Sequence, residues 1–117
     1  MNKLQILSHA KKVLSTELKS IKTLNTCFDD NFYNVVKTIY QTKGTIILTG
    51  VGKSGHIANK ISATLSSTGT PSFFIHATEA SHGDLGAIMK NDIILAISNS
   101  GQTYELNNIL DLSLIHI

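Results

Sequence analysis

The N-terminal part of the chain alternates apolar and polar residues with a helical period. Its apolar stripe recurs at steps of three and four residues and consists of Leu4, Leu7, Leu14, Leu18, Ile21, Leu24 and Phe28. Steps of this size place side chains on one face of an α-helix, while lysine and serine occupy the remaining face. The pattern therefore predicts one long amphipathic helix over residues 4–28.

A second, shorter helical stripe follows, formed by Phe32, Val35, Val36, Ile39 and Tyr40. Asp29 or Asp30 can cap the start of this helix, and Gly44 stands at the C′ position where a glycine commonly ends one. Two helices joined by so few residues predict an αα-hairpin. We therefore expect residues 1–44 to form a helical hairpin that packs on the domain formed by the residues after it.

The pattern then changes to short apolar runs rich in β-branched residues. Strands are predicted over residues 45–49, Ser72–His76 and Ile93–Ile97. Helical spacing returns after the first strand, from Ser54 until Gly69 and Pro71 stop it. Alternating strands and helices predict a doubly wound parallel α/β sheet in the order 2-1-3, whose ligands bind beyond the carboxyl ends of the strands.

Composition and charge argue against several functions. With a net charge of +2, ten lysines and no arginine, the chain lacks a dense basic stripe, so we expect no nucleic-acid partner. The apolar runs are too short to span a membrane, and we expect no membrane partner. Cys27 is the only cysteine, which excludes an internal disulfide and a multi-cysteine zinc site and suits a reducing compartment. We therefore expect a cytoplasmic protein.

A glycine-rich loop at residues 50–55 fits the pattern G-x-G-x-x-G between a strand and a helix. Backbone N–H groups and the helix dipole at such a loop favour an anion. Alone this signal is weak, because a dinucleotide site would have an acidic residue where His76 stands, and a P-loop would have glycine at Ile47. A plain tight turn is the alternative.

A second loop, residues 98–103, follows the third strand and offers hydroxyls, amides and backbone N–H groups, which suits a phosphate. N-capping by Ser100 or Thr103 is the alternative, although a cap needs only one hydroxyl. In a 2-1-3 sheet this loop and the glycine loop face each other across one crevice. The two loops therefore predict a single site.

The loop after the second strand combines Glu79 and His82 with small residues, as a proton-transfer loop or an ordinary surface turn would. His76, Glu79 and His82 match no recognised zinc spacing. We therefore expect no metal.

Two runs together resemble a known family. GVGKSGHIANKISATLSSTGTPSFFIHATEASHGDLG, followed by DIILAISNSGQTYE, closely resembles the sugar isomerase (SIS) domain of arabinose-5-phosphate isomerases over roughly residues 45–110. The resemblance implies a flavodoxin-like doubly wound sheet, truncated here to about three strands. It also implies interconversion of D-ribulose 5-phosphate and D-arabinose 5-phosphate through an enediolate, at the entry to the Kdo sugar of lipopolysaccharide.

The resemblance further implies a small-molecule sugar phosphate as ligand, a homo-oligomer, usually a tetramer, and no cofactor. Two other functions remain open within the same family. The domain can serve as the sugar-phosphate-binding module of a transcription regulator, or it can isomerise hexose phosphates. Turnover of ribulose 5-phosphate, turnover of fructose 6-phosphate, or binding without turnover distinguishes the three.

Residue roles follow from the resemblance. The resemblance assigns catalysis to Lys53, His82 and Glu105. It assigns substrate and phosphate binding to Gly50, Gly52, Ser54, Ser98, Asn99, Ser100, Gly101 and Thr103. Glu105 is the candidate base for the C2 proton, Lys53 the cation beside the developing oxyanion, and His82 a proton carrier.

The same three residues also have ordinary structural explanations. Without the resemblance, a solvated lysine and a turn histidine explain Lys53 and His82 better, and Glu105 is also an acid favoured in a first helical turn. Two departures from the family matter: Gln102 stands where a glutamate is common, and the second catalytic histidine would lie beyond residue 111.

The last six residues, 112–117, break the pattern of the chain. One reading frame of a transposon-end adapter used for sequencing libraries translates as this run, so we expect a non-native tail after Asp111. A degenerate helix end is the alternative. We therefore expect residues 45–111 to be the first part of the domain, an incomplete fragment that is itself inactive.

Overall fold

The computed structural model describes residues 2–80, 83–101 and 104–116. They fall into two units, which meet in sequence between Thr38 and Ile39. The first unit contains helix α1 (Lys3–Thr23), a 3-10 turn (Leu24–Cys27) and most of helix α2 (Asp30–Gln41). Within the described residues, no helix combines the length and apolar character needed to cross a bilayer.

Helix α1 begins with a reciprocal cap. The side chain of Asn2 accepts from the N–H of Gln5 at 2.9 Å, and the Gln5 side chain accepts from the N–H of Asn2 at 2.8 Å. The helix ends at Thr23, so the predicted single helix over 4–28 is too long. Hydroxyls explain the break, because Thr23 and Thr26 donate to backbone carbonyls three residues earlier, at 2.6 and 2.8 Å, and such bonds compete with helix continuation.

Helix α2 begins after Asp29, as predicted. The Asp29 carboxylate accepts from the N–H of Phe32 at 2.9 Å. Gly44, in contrast, does not end the helix as its C′ residue, since α2 stops at Gln41 and Gly44 does not adopt the left-handed conformation. Its role is a close approach, because a Cβ there would overlap the backbone of Asn91 and Asp92.

The second unit is a three-stranded parallel sheet with helices on both faces. Its elements are β1 (Ile46–Gly50), α3 (Gly52–Ser67), β2 (Ser72–His76), α4 (Ala77–Ala80), a 3-10 turn (Asp84–Ala87), β3 (Ile93–Ile97) and α5 (Tyr104–His116). The strand order is β2-β1-β3, which confirms the predicted topology and the doubly wound fold class.

Strand β1 is central and fully buried. Its alternate side chains pack in two core layers on opposite faces of the sheet. One layer packs against α3 and contains Ile46, Leu48 and Ala58. The other packs against α4 and α5 and contains Ile47, Ile75, Ala77, Ala80, Leu106 and Ile109. The chain thus covers both faces of a parallel sheet, as parallel sheets require.

The turn before β3 is tied to the entry of β1 at the amino ends of the strands. The Asp92 carboxylate accepts from the N–H of Thr45 at 2.7 Å and from the N–H of Met89 at 2.7 Å. The Thr42 hydroxyl donates to the carbonyl of Asn91 at 2.9 Å. These bonds fix the register of β3 on β1, and so the position of the loop that follows β3.

Candidate active site

The carboxyl ends of the three strands lie side by side, because the strands are parallel and in register. Gly50 pairs with His76 on one side and with Ile97 on the other. The segments that follow the strands therefore leave the sheet at one edge. The glycine loop and the loop after β3 start from neighbouring strands, as predicted, and both border this edge.

The loop between β1 and α3 is closed by glycine contacts. Gly52 has φ of 58°, a left-handed conformation that favours glycine. A Cβ on Gly50 would lie 3.0 Å from the nitrogen of Gly55, and a Cβ on Gly55 would lie 2.8 Å from the carbonyl oxygen of Gly50. The absence of side chains at these positions therefore lets the first turn of α3 lie directly against the end of β1.

The first turn of α3 is suited to an anion. Val51 precedes it and supplies no side-chain cap, and N–H groups at the start of a helix commonly bind water or an anion. Lys53 is exposed and Ser54 is half-buried in this turn. A lysine and a helix N-terminus combine positive charge with N–H donors, as the predicted role of this loop requires.

The loop after β3 turns sharply before α5. The Ser98 hydroxyl oxygen accepts from the N–H of Gly101 at 3.0 Å, and Gly101 has φ of 68°. Asn99 and Ser100, between them, are exposed. Four of the predicted phosphate-binding residues, Ser98, Asn99, Ser100 and Gly101, thus lie in one tight turn.

Glu105 lies in the first turn of α5 and is half-buried. Leu106 and Ile109, on the same helix, are only 4% and 2% exposed in the core, so the helix that carries Glu105 is firmly packed. Glu105 and Lys53 thus occupy corresponding places, in the first turns of helices that follow neighbouring strands.

A groove of about 230 Å³ opens beside the β3–α5 connection, lined by Ala96, Ser98, Gly101, Leu106, Asn107 and Leu110. Asn107 and Leu110 were not predicted as site residues. Both lie inside a helical pattern where a polar or an apolar residue is equally ordinary, so the sequence carried no signal for them.

Some predicted residues are not placed. His82 and Thr103, like Gln102, lie outside the described residues, so their roles stay predictions. His76 is exposed at the end of β2, and its Nδ1 accepts from the N–H of Thr78 at 3.3 Å. Among the described residues, no three metal-ligating side chains cluster closely enough to hold an ion.

One buried polar group near the site was also missed. Thr49 is the residue before Gly50 and is 1% exposed. Its hydroxyl has no hydrogen-bond partner in the described part of the chain. It lies among the apolar side chains of Ile75, Ala80 and Ile109. In the sequence, Thr49 is one β-branched residue in a buried strand, and the pattern does not distinguish its hydroxyl from a methyl group.

Comparison with known proteins gives consistent matches. A family model described as SIS domain matches residues 38–114. An uncharacterised protein of Rickettsia prowazekii is 50% identical over 102 residues, covering 87% of this chain and 32% of the relative. Arabinose 5-phosphate isomerase KdsD of Pseudomonas aeruginosa is 44% identical over 109 residues, covering 93% of this chain and 33% of the relative.

A solved structure from Escherichia coli CFT073, in complex with arabinose 5-phosphate, superposes with a TM-score of 0.89 at 43% identity. The match covers 96% of this chain and 60% of that structure. The chain thus spans about a third of the length of the curated relatives that it matches.

Proposed function

Because the chain belongs to the SIS domain family, we propose that it is the N-terminal part of an aldose–ketose isomerase acting on a pentose 5-phosphate. The reaction interconverts D-ribulose 5-phosphate and D-arabinose 5-phosphate. The observation that carries the proposal is the 44% identity, over 93% of the chain, to a relative named arabinose 5-phosphate isomerase. The glycine loop and the loop after β3, bordering one sheet edge, support it.

The phosphate of the substrate would bind between the two loops. The first turn of α3 offers backbone N–H groups, and the turn from Ser98 to Gly101 adds the side chains of Asn99 and Ser100. N–H donors at helix starts suit the dianionic phosphate of such a sugar. We place Ser54 and Thr103 in the same binding set.

The chemistry moves one proton between neighbouring carbons. Glu105 takes the C2 proton of the aldose, the electrons form a cis-enediolate, and the proton returns at C1 to give the ketose. Lys53 stabilises the negative charge that develops on the oxygen. His82 moves a proton during ring opening and between the two oxygens, for which an imidazole is suited near neutral pH. These steps use no cofactor.

We further propose the cellular setting of this reaction. A pentose 5-phosphate isomerase of this kind supplies the Kdo sugar of lipopolysaccharide, and we assign the protein to the cytoplasm, which the single unpaired Cys27 suits. The whole protein would be a homo-oligomer, a tetramer in keeping with the resemblance. Neither nucleic acid nor membrane is a proposed partner.

The proposal is tested on the full-length protein, the longer chain that it implies. Incubated with ribulose 5-phosphate in D₂O, the enzyme should form arabinose 5-phosphate, seen by NMR, with deuterium at C2 to the extent that the proton on Glu105 exchanges with solvent before it is returned. Lys53→Ala and Glu105→Gln should abolish turnover, since loss of a positioned base costs about 10²- to 10⁴-fold. Lys60→Ala and Glu17→Gln are matched controls, because both residues are exposed and outside the predicted site.

Ser100→Ala should raise KM with little change in kcat. Near wild-type kcat in Glu105→Gln would show that the base is another residue. Binding of ribulose 5-phosphate without turnover would replace the isomerase with a sugar-phosphate sensor. Turnover of fructose 6-phosphate in its place would assign a hexose-phosphate isomerase.

A further inference from the structure

His76 is the last residue of β2, at the same edge of the sheet as the two loops of the candidate site. It pairs in register with Gly50, the last residue of β1, and its side chain is exposed. In dinucleotide-binding domains an acidic side chain near this strand end hydrogen-bonds a ribose hydroxyl. A histidine in that place can supply a hydrogen-bond donor instead. None of the steps proposed above uses His76.

Ring contacts place the imidazole of His76 beside the first turn of α3. Phe74 and His76 alternate along β2 and so face the same side of the sheet, where their rings meet edge to face with centroids 6.3 Å apart. The Phe74 ring lies against the first turn of α3, because a Cβ on Gly55 would be 3.6 Å from its Cζ atom. The imidazole therefore borders the glycine loop that carries Lys53.

The hydrogen bond of His76 determines which ring nitrogen is a donor. Its Nδ1 accepts from the N–H of Thr78 at 3.3 Å, so the neutral imidazole carries its proton on Nε2. Within the part of the chain that the structure describes, Nε2 has no hydrogen-bond partner. His76 therefore presents one oriented N–H donor at the sheet edge where the substrate would bind.

We propose that the Nε2–H of His76 donates to a hydroxyl of the sugar in the bound pentose 5-phosphate. This inference rests on the proposed function, in which the phosphate binds between the loops after β1 and β3. Strands β2 and β3 lie on opposite sides of β1, so their ends are about 10 Å apart at the usual spacing between strands. A donor at the end of β2 is therefore placed for the sugar and not for the phosphate.

A purely structural role for His76 uses the other side of the ring. Its Nδ1 satisfies the N–H of Thr78 in the short helix α4, and a histidine that serves only as this acceptor has no need of Nε2. Substrate binding, in contrast, requires the Nε2–H and uses the Nδ1 contact only to orient it. Substitutions that keep one side of the ring at a time therefore separate the two roles.

Asparagine and glutamine make that separation in the full-length protein. The amide of asparagine reaches the place of Nδ1, and the longer glutamine places an N–H donor near that of Nε2. Both variants are prepared in a Glu105→Gln background, so that the ligand is not converted, and titrated with ribulose 5-phosphate in a calorimeter. His76→Asn should bind it about 3- to 10-fold more weakly than the parent, and His76→Gln should recover most of that loss. Inorganic phosphate, titrated separately, should bind all three proteins equally.

Three outcomes would overturn the proposal. Weaker binding in His76→Gln than in His76→Asn would show that only the Nδ1 contact matters. An equal loss for inorganic phosphate would place His76 at the phosphate, and unchanged binding in both variants would remove it from the site. Turnover with Glu105 intact separates this inference from the isomerase proposal. Conversion with unchanged binding in both variants refutes the role of His76 alone, and the expected order of binding without conversion refutes the isomerase alone.

Discussion

At the scale of single residues, the hydroxyl of Thr49 lowers the stability of the fold. It is 1% exposed and unpaired among the described residues, and an unsatisfied buried hydroxyl costs about 1–3 kcal/mol. Thr49→Val keeps the shape and removes the polar group. We expect the full-length protein to gain about 1 kcal/mol or more, seen as a higher midpoint in thermal unfolding followed by circular dichroism.

Thr49→Ser is the matched control for that substitution. It keeps the hydroxyl and removes only the methyl group, so it should lower the midpoint by creating a small cavity. A lower midpoint in Thr49→Val than in the parent would show that the hydroxyl has a partner beyond the described residues.

At the scale of elements, Gly44 sets how closely the entry of β1 approaches the turn before β3. A Cβ there would overlap Asn91 and Asp92, so Gly44→Ala must strain the hydrogen bond from Thr45 N–H to the Asp92 carboxylate. Overpacking of this kind costs about 1–3 kcal/mol. We expect the unfolding midpoint to fall by several degrees. Gly86→Ala, where a Cβ meets open space, should have little effect.

The start of α2 should respond to pH through Asp29. The N–H of Phe32 donates to its carboxylate and holds the pKa of Asp29 below the ordinary value of 3.8. A lowered pKa in the folded state means that the cap stabilises α2 at neutral pH, and that this contribution is lost as the pH falls through the lowered pKa.

Two substitutions at Asp29 distinguish the effect of its hydrogen-bond acceptor from the effect of its negative charge. Asp29→Ala should speed amide exchange at the start of α2 at neutral pH, and its difference from the parent should vanish in acid. Asp29→Asn keeps an acceptor that does not titrate, so its cap should persist across the same range. A pH-independent difference between Asp29→Ala and the parent would contradict the role of the charge.

The elements that could be predicted are those whose signal is local. Strands Ser72–His76 and Ile93–Ile97 were predicted to the residue, because apolar runs bounded by turn residues fix both ends. The role of Gly44 was predicted wrongly, and the buried hydroxyl of Thr49 was not predicted. Both depend on contacts with residues that are distant in sequence, which a local pattern does not contain. Likewise Asn107 reaches the groove only through the packing of α5.

At the scale of the whole molecule, β3 is an edge strand of the described sheet. Its residues are at most half-buried and Ala96 is exposed, and an apolar edge promotes association with other chains. Each 100 Å² of apolar surface left uncovered forfeits about 2.5 kcal/mol, against a total of about 5–15 kcal/mol for a domain.

We therefore expect the 117-residue chain alone to unfold without a sharp transition and to convert no ribulose 5-phosphate. The full-length protein, examined in the same calorimeter and assay, is the control, and it should unfold with a sharp transition and convert ribulose 5-phosphate. A sharp calorimetric peak from the isolated chain, in soluble form, would show that three strands suffice.

Strand β1 lies between β2 and β3 although it precedes both along the chain. Its pairing with β2 joins positions 26 residues apart, whereas its link to the entry of β3 spans 47. Closing the longer loop costs about 0.5 kcal/mol more chain entropy, and shorter-range contacts form faster. The β1–α3–β2 unit should therefore assemble first and serve as the template on which β3 docks. During synthesis at the ribosome, all residues of that unit are translated before β3, so the expected order of folding matches the order of translation.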